Sequence, residues 1–309
     1  TEGRGRVLVA GSINTDLVVR VRQAPEAGET VTGTAFAIFG GGKGANQAIA
    51  AARSGAHVVM LGAAGNDDFG RQRLRDLGAD GIDVGSVVTT DLAASGVALI
   101  VVDDSGQNRI AYVPGATSTI SAEQAVAALH RSEAGVVLTT LELPGSALTE
   151  LYREARASGA AIINNATPEP SLGREIAALA DVLIVNETEA LELLDLDDRN
   201  PDWQQVAAAL RALGPRVAIV TLGAAGAVIA AEDVSQRLPA PIVQVADSTG
   251  AGDAFSGAFA ARLAAGANAV DAARAGVAAG SLAVTKAGAQ PSMPRADEID
   301  RMLQTMATS

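Results

Sequence analysis

The feature that most constrains this chain is a regular alternation, from about residue 135 onward, of short apolar runs with helix-length segments. Residues 135–141, 161–164, 182–185 and 217–221 read as strands, with helices at 145–158 and 203–213 between them. Such an alternation predicts a mostly parallel central sheet covered by helices on both faces, an α/β fold. The amino-terminal half adds strands at 6–10 and 57–61 and helices at 45–54 and 67–77; helices at 254–265, 270–285 and 295–306 close the chain. The glycine segment 223–226 reads as a turn. No linker divides the 309 residues and no repeat is evident, so residues 1–309 are expected to form one domain. With 48% hydrophobic and 19% charged residues, the chain can bury a substantial core.

Two stretches break the alternation. Residues 17–39 contain short alternating runs, 17–21 and 29–32, interrupted by Pro25 and Gly28, and 95–102 with 109–113 reads as a hairpin. These predict a small antiparallel β-sheet lid from segments at about 14–40 and 95–113. The net charge of -12 argues against a nucleic-acid partner, and an aromatic content of 3% makes base-stacking platforms improbable. Absence of cysteine excludes thiolate metal sites, and absence of a long uncharged apolar run points to a cytoplasmic protein with no membrane partner. Residues 1–6 read as a frayed leader.

Chemistry is expected first at Asp247-Ser-Thr-Gly-Ala-Gly-Asp253-Ala-Phe-Ser-Gly257, between an apolar run at 242–245 and an Ala/Gly-rich helix. Strand, glycine turn and helix in that order suit anion binding: Gly250 and Gly252 let backbone N–H groups approach a phosphate at the positive end of the helix. Asp253 is then either a capping carboxylate or a general base, and the strong N-cap preference of Asp favours the cap on residue type alone. The run Gly40-Gly-Gly-Lys-Gly44 is not a Walker loop, because Gly44 rather than Ser or Thr follows Lys43. No Gly-x-Gly-x-x-Gly follows the first strand, so a dinucleotide site is poorly supported.

Asn14 and Asp16 stand at the carboxyl end of the first strand, where α/β sheets place ligands. Together with Lys43 and Asn46 they favour a polyhydroxyl ligand, whose hydroxyls both donate and accept. Glu142 ends another strand. Asn186 and Glu189, three apart at a helix start, are either a cap, which would use Asn186 alone, or sufficient hardware for magnesium on nucleotide phosphates. His57 and His130 lack convergent partners, and Trp203 reads as packing.

On these residues the chain resembles the ribokinase-like, pfkB-type carbohydrate kinase family over nearly its whole length. Two signatures carry the resemblance: Gly40-Gly-Gly-Lys-Gly-Ala-Asn-Gln-Ala-Ile-Ala50, preceded by Gly11-Ser-Ile-Asn-Thr-Asp16, and the 247–257 segment. Asn186-Glu-Thr-Glu-Ala190, Thr221-Leu-Gly223 and Gly288-Ala-Gln-Pro-Ser292 follow in the family's order. The resemblance implies ATP-dependent phosphorylation of D-ribose at its 5-hydroxyl, with Asp253 as general base. It implies sugar contacts from Asn14, Asp16, Gly42, Lys43, Asn46, Glu142 and Asp253. Asn186 and Glu189 would organise magnesium and the phosphates, Thr221, Gly223 and Gly226 would border the nucleotide, and the N–H groups of Gly250, Ala251 and Gly252 would form the anion hole. A potassium ion would sit beside that loop at Asp247, Thr249, Ala283, Gly288 and Ser292, in a segment where Lys286 replaces the Arg of relatives. A homodimer paired through the lid sheets is the family default. Kinases of deoxyribose, fructose or nucleosides, and a non-catalytic sugar-binding protein, are the alternatives; Asn14, Asp16 and Lys43 argue for a free pentose.

Overall fold

The computed structural model describes residues 5–166 and 170–308. The chain opens with β1 (Arg6–Ala10), β2 (Asn14–Arg20) and β3 (Ala35–Gly41), then helix α1 (Lys43–Arg53), β4 (His57–Leu61), β5 (Ala63–Gly65) and α2 (Asp68–Ala79). Three short strands follow, β6 (Val88–Thr90), β7 (Gly96–Val102) and β8 (Asn108–Val113). Alternation then sets in: α3 (Ala122–Ser132), β9 (Val136–Thr140), α4 (Gly145–Ser158), β10 (Ala161–Asn165), α5 (Pro170–Ala177), β11 (Val182–Asn186). After α6 (Glu187–Leu194) and α7 (Trp203–Ala212) come β12 (Val217–Thr221), β13 (Ala227–Ala230) and β14 (Ser235–Leu238). The last elements are helical: α8 (Ala251–Ala264), α9 (Ala269–Ala283), α10 (Ala289–Ser292) and α11 (Ala296–Thr308).

Eight strands form the central sheet in the order β14-β13-β12-β11-β10-β9-β1-β4. The six from β12 to β4 are mutually parallel, and β13 and β14 extend the far edge antiparallel. Successive residues of a strand feed opposite layers: Val7 and Val9 pack with α1, α8 and α9, whereas Leu8 and Ala10 pack with α3, α4 and α7. Both faces being covered, these strands are apolar almost throughout, and that is why the alternation was legible. On the first face the stacked rings of Phe255 and Phe259, 6.4 Å apart, anchor α8. Burying each such ring stabilises the fold by roughly 1.5–3 kcal/mol. The chain leaves β1 toward β4 on one side and β9 on the other, so the carboxyl end of β1 is a topological switch point, where crevices open in such sheets.

A second sheet of four strands, β3-β2-β7-β8, stands beside that end. Its hairpin β7–β8 and the pair β2–β3 are antiparallel, but β2 and β7 run parallel, which corrects the expected all-antiparallel sheet. The reason is connectivity: α1, β4, β5 and α2 intervene between β2 and β7, and so long a crossover returns the chain in the same direction. Residues 29–32 form no strand; Glu29 instead closes a turn, accepting the Glu26 N–H on its carboxylate at 2.9 Å and donating its own N–H to the Glu26 carbonyl at 3.0 Å. Residues 242–245 are likewise outside every sheet, with Ile242 and Val245 exposed. At the amino end, Arg6 heads β1 and the Gly5 N–H bonds the Ala264 carbonyl at 2.8 Å, so these two residues belong to the fold; residues 1–4 of the expected leader lie outside the described residues.

Candidate active site

Helices α1 and α8 set the site. They cross so closely that a Cβ on Gly257 would lie 2.5 Å from the Ala50 Cβ and 2.6 Å from the Gln47 carbonyl oxygen. One turn before that contact, the Asp253 side chain meets the first turn of α1. Its Oδ2 accepts from Asn46 Nδ2 at 2.9 Å and its Oδ1 from Gln47 Nε2 at 3.0 Å. Gln47 is itself held, donating to Asn165 Oδ1 at 2.7 Å, while Asn165 Nδ2 donates to the Ile184 carbonyl at 3.0 Å. The carboxylate is thus buried and fixed by two amides. Burial pushes its pKa up, against the pull of Lys43 and of the two amide donors.

This geometry overturns the capping reading. Helix α8 begins at Ala251, three residues earlier than expected, with Gly250 as N-cap at φ 79° and no side chain capping it. Asp253 is therefore inside the first turn and aims away from the helix's own N–H groups. The uncapped start faces a cavity of about 260 Å³ lined by Lys43, Asn165, Asn186, Glu189, Thr221 and residues 250–253. Of the three N–H groups expected to form an anion hole, that of Ala251 is shared with the Ser248 carbonyl at 3.3 Å.

Of the residues expected to hold a polyhydroxyl ligand, Lys43 lines that same cavity, whereas Asn14, Asp16 and Gly42 gather where β2 and β3 lead into α1. Gly42, at φ 91°, turns the chain from β3 into α1 where a Cβ would lie 2.7 Å from the Ser12 carbonyl oxygen and 2.9 Å from the Asn14 nitrogen. Asn14 and Asn46 are buried, and the side-chain oxygens of both, with the hydroxyl of Ser12, lack a hydrogen-bond partner. Unpaired buried acceptors and hydroxyls are costly, so these three groups stand ready to pair with polar atoms entering the pocket. Asp16 lies over Gly41, and its carboxyl is raised to about 6, chiefly by burial. Glu142 accepts from Thr140 Oγ1 at 3.0 Å and from the Ser12 N–H at 3.3 Å, and its charge reaches Asp253.

Glu189 and Asn186 do form a reciprocal capping box: Asn186 Oδ1 accepts the Glu189 N–H at 2.9 Å and Glu189 Oε2 accepts the Asn186 N–H at 2.8 Å. The cap uses both residues, contrary to the expectation that it would leave Glu189 idle. The other oxygen, Oε1, faces Lys43 Nζ at 3.7 Å, and burial raises the Glu189 pKa. Thr221, Gly223 and Gly226 border a neighbouring apolar cavity of about 360 Å³ that shares Ser248, Ala251 and Gly252 with the first. Its walls are Ile242, Val243, Val245, Phe255, Val277 and Val284.

Asp247 ties two loops together, its Oδ2 accepting the Gly288 N–H at 2.8 Å and its Oδ1 the Thr249 N–H and hydroxyl at 2.9 and 2.7 Å. Ser292 is buried and donates its hydroxyl to the Ala289 carbonyl at 2.8 Å; the Ala283 carbonyl accepts the Lys286 N–H at 3.2 Å. Lys286 turns its ammonium outward, 3.1 Å from Glu298 Oε1. The histidines stand apart from the site, His130 pairing with Glu154 at 2.9 Å, and among the described residues no cluster of three or more His, Asp or Glu suits a metal.

Sequence reasoning missed Gln47, Asn165, Tyr112 and the walls of the apolar cavity. Gln47 adjoins Asn46, which was a usable signal. Tyr112, on β8, faces Ser12 and Asn14 across the pocket, and burial raises its hydroxyl to about 12. Its membership depends on the β2–β7–β8 pairing, which is not local. The run at 242–245 has the apolar pattern of a strand, but Ile242, Val243 and Val245 line the apolar cavity instead of joining a sheet.

The chain is similar to known carbohydrate kinases. The family model for pfkB family carbohydrate kinases matches residues 4–296. A ribokinase of Bacillus subtilis is 38% identical, covering 96% of this chain and 99% of its own length, and one of Haemophilus influenzae is 34% identical over 97% and 99%. The structure of Arabidopsis thaliana ribokinase complexed with ribose and ATP superposes with a TM-score of 0.87 at 28% identity, covering 96% of this chain and 98% of the other.

Proposed function

The chain belongs to the pfkB family of carbohydrate kinases, and from that premise we propose how it works: it phosphorylates ribose at the expense of ATP, with Asp253 as general base. The observation that carries this reading is the Asp253 carboxylate itself. It is held by Asn46 and Gln47 between the unpaired sugar-facing groups and the uncapped start of α8.

Ribose would fill the pocket of Ser12, Asn14, Asp16, Gly42, Lys43, Asn46 and Glu142, and present its 5-hydroxyl to Asp253. ATP would lie along the two joined cavities, its base against Ile242, Val245 and Val277, its phosphates toward Gly250, Gly252 and Lys43. The hydroxyl oxygen attacks the γ-phosphorus in line, the bond to the β–γ bridging oxygen breaks, and ADP leaves. Asp253 takes the hydroxyl proton as the new P–O bond forms, because an alcohol is too weak an acid to ionise beforehand. Its raised pKa suits this role. The helix start and Lys43 stabilise charge on the transferred group without reorganising, which is the main demand of phosphoryl transfer.

Magnesium fits beside Glu189 and Asn186, the buried carboxylate on the phosphate side, and would neutralise phosphate charge there. A potassium ion fits the loops joined by Asp247, where carbonyl oxygens of Ala283, Gly288 and Ser292 would supply most donors; Lys286 can contribute only its backbone. The second sheet is the lid, Asn14, Asp16 and Tyr112 projecting from its inner face. Its other face carries Leu17, Val19, Phe36, Ile38, Leu99 and Val113, an exposed apolar surface suited to a second copy of the sheet in a homodimer.

The test is ADP release with magnesium-ATP across a panel of ribose, deoxyribose, fructose and nucleosides, with and without potassium. Ribose is expected to give the highest kcat/KM and ribose 5-phosphate as product. A better substrate from another class, or ribose binding with no ADP formed, would overturn the assignment.

A further inference from the structure

Helix α2 buries one stripe, Gly70, Arg73 and Leu77, at the spacing of an apolar core face. Arg73 is the anomaly in that stripe. It is 9% exposed, and among the described residues its one ion pair is to Asp76 on the same helix, through Nη2 at 2.8 Å, while Nε and Nη1 are buried and find no hydrogen-bond partner there. A guanidinium is always charged, and leaving two of its nitrogens unpaired in the interior is expensive, so a residue of this kind in a core position has a task. The stripe faces the base of the second sheet: Gly70 packs on the Gly65 carbonyl and Ser95, and α2 lies against β5 and β2.

We propose that Arg73 is a positioning residue for sugar binding: its buried guanidinium is the countercharge of Asp16 on β2 and holds that carboxylate ready to accept ribose hydroxyls. Lys43, the other cation of the pocket, is drawn to Glu189, 3.7 Å from its Oε1. Arg73 is the group that draws the Asp16 carboxyl down, while burial and the Asp253 charge push it up. The strands flanking Asp16, β3 and β7, carry no charged residue, and neither does β5. Asp67, at the start of α2, spends its carboxylate on Ser95 and the Gly70 N–H, and Arg109 of β8 is turned to the Pro25 carbonyl. Asp76, more exposed, satisfies a single nitrogen of Arg73.

This inference rests on the reading of Asp16 as a sugar ligand, and the experiment separates the two. Ribose KM and kcat are measured between about pH 5.5 and 8.5 for the wild type, Arg73→Leu, Arg73→Lys and Asp16→Asn, with thermal melting of each. Leucine suits the apolar spacing of the stripe, and because it leaves Asp16 without its countercharge, the KM profiles are read at temperatures below the melting transition of every variant. With the carboxyl already near 6, loss of the countercharge raises it further. The acid-side weakening of ribose binding should then move up by about one pH unit, raising KM roughly fivefold at pH 6 and by less than about threefold at pH 8.5. Arg73→Lys should keep most of the wild-type profile. An Arg73→Leu profile superposed on the wild type's, or a KM raised equally at all pH values, would overturn the positioning role while leaving Asp16 a ligand. Unchanged ribose KM in Asp16→Asn would overturn the ligand reading and this inference with it.

Discussion

Gln47 shows how much of the site is decided at the scale of single side chains. Neighbouring positions on a helix diverge by about 100° and normally face different partners, yet Asn46 and Gln47 both reach Asp253, because α8 enters across their shared end of α1. A hydrogen bond to a charged group is worth roughly 1.5–3 kcal/mol. Gln47→Leu is therefore expected to lower kcat about 10- to 100-fold with a small change in ribose KM, as read in steady-state rates. Gln47 holds the Asp253 pKa down against burial; removing it should shift the acid limb of kcat to higher pH. The residue types in the 247–257 segment were readable; residue type alone favours a cap for Asp253, the family resemblance implies a general base, and its position within the first turn removes it from the N-cap.

At the scale of elements, the α1–α8 crossing is what brings Asn46 and Gln47 to Asp253. Gly257 leaves room for it, and a larger residue there must push the helices apart. Gly257→Val is expected to cost roughly 1–3 kcal/mol by overpacking, read as a lower melting temperature, and to lower kcat beyond the stability loss because Asp253 moves from its amides. The parallel strands and the helices between them were legible since burial on both faces leaves an unbroken apolar signal. The start of α8 was not, because Gly250, Ala251 and Gly252 carry no cap residue; nor was the wall at 242–245, whose Val and Ile suit a strand as well as the lining of an apolar cavity. The parallel β2–β7 pairing escaped because nothing local encodes the partner of a strand some eighty residues away.

At the scale of the whole molecule, the proposed dimer would join the sugar site to assembly through the second sheet. One face of that sheet carries Asn14, Asp16 and Tyr112; the other presents Phe36, Ile38, Leu99 and Val113 to solvent. Sedimentation is expected to show a dimer for the wild type and a monomer for the double variant Ile38→Asp, Leu99→Asp, with ribose KM raised in the monomer as the sheet loses support. A variant that stays dimeric would place the interface elsewhere. The central claim concerns Asp253, and Asp253→Asn tests it most directly, since Asn is as good an N-cap as Asp but cannot accept the proton. Ribose affinity by calorimetry and the rate of ADP formation are measured on the same preparation. General-base catalysis predicts ribose affinity within about tenfold of the wild type and a kcat lower by at least about 10²–10⁴-fold; a kcat within a few-fold of the wild type would contradict it.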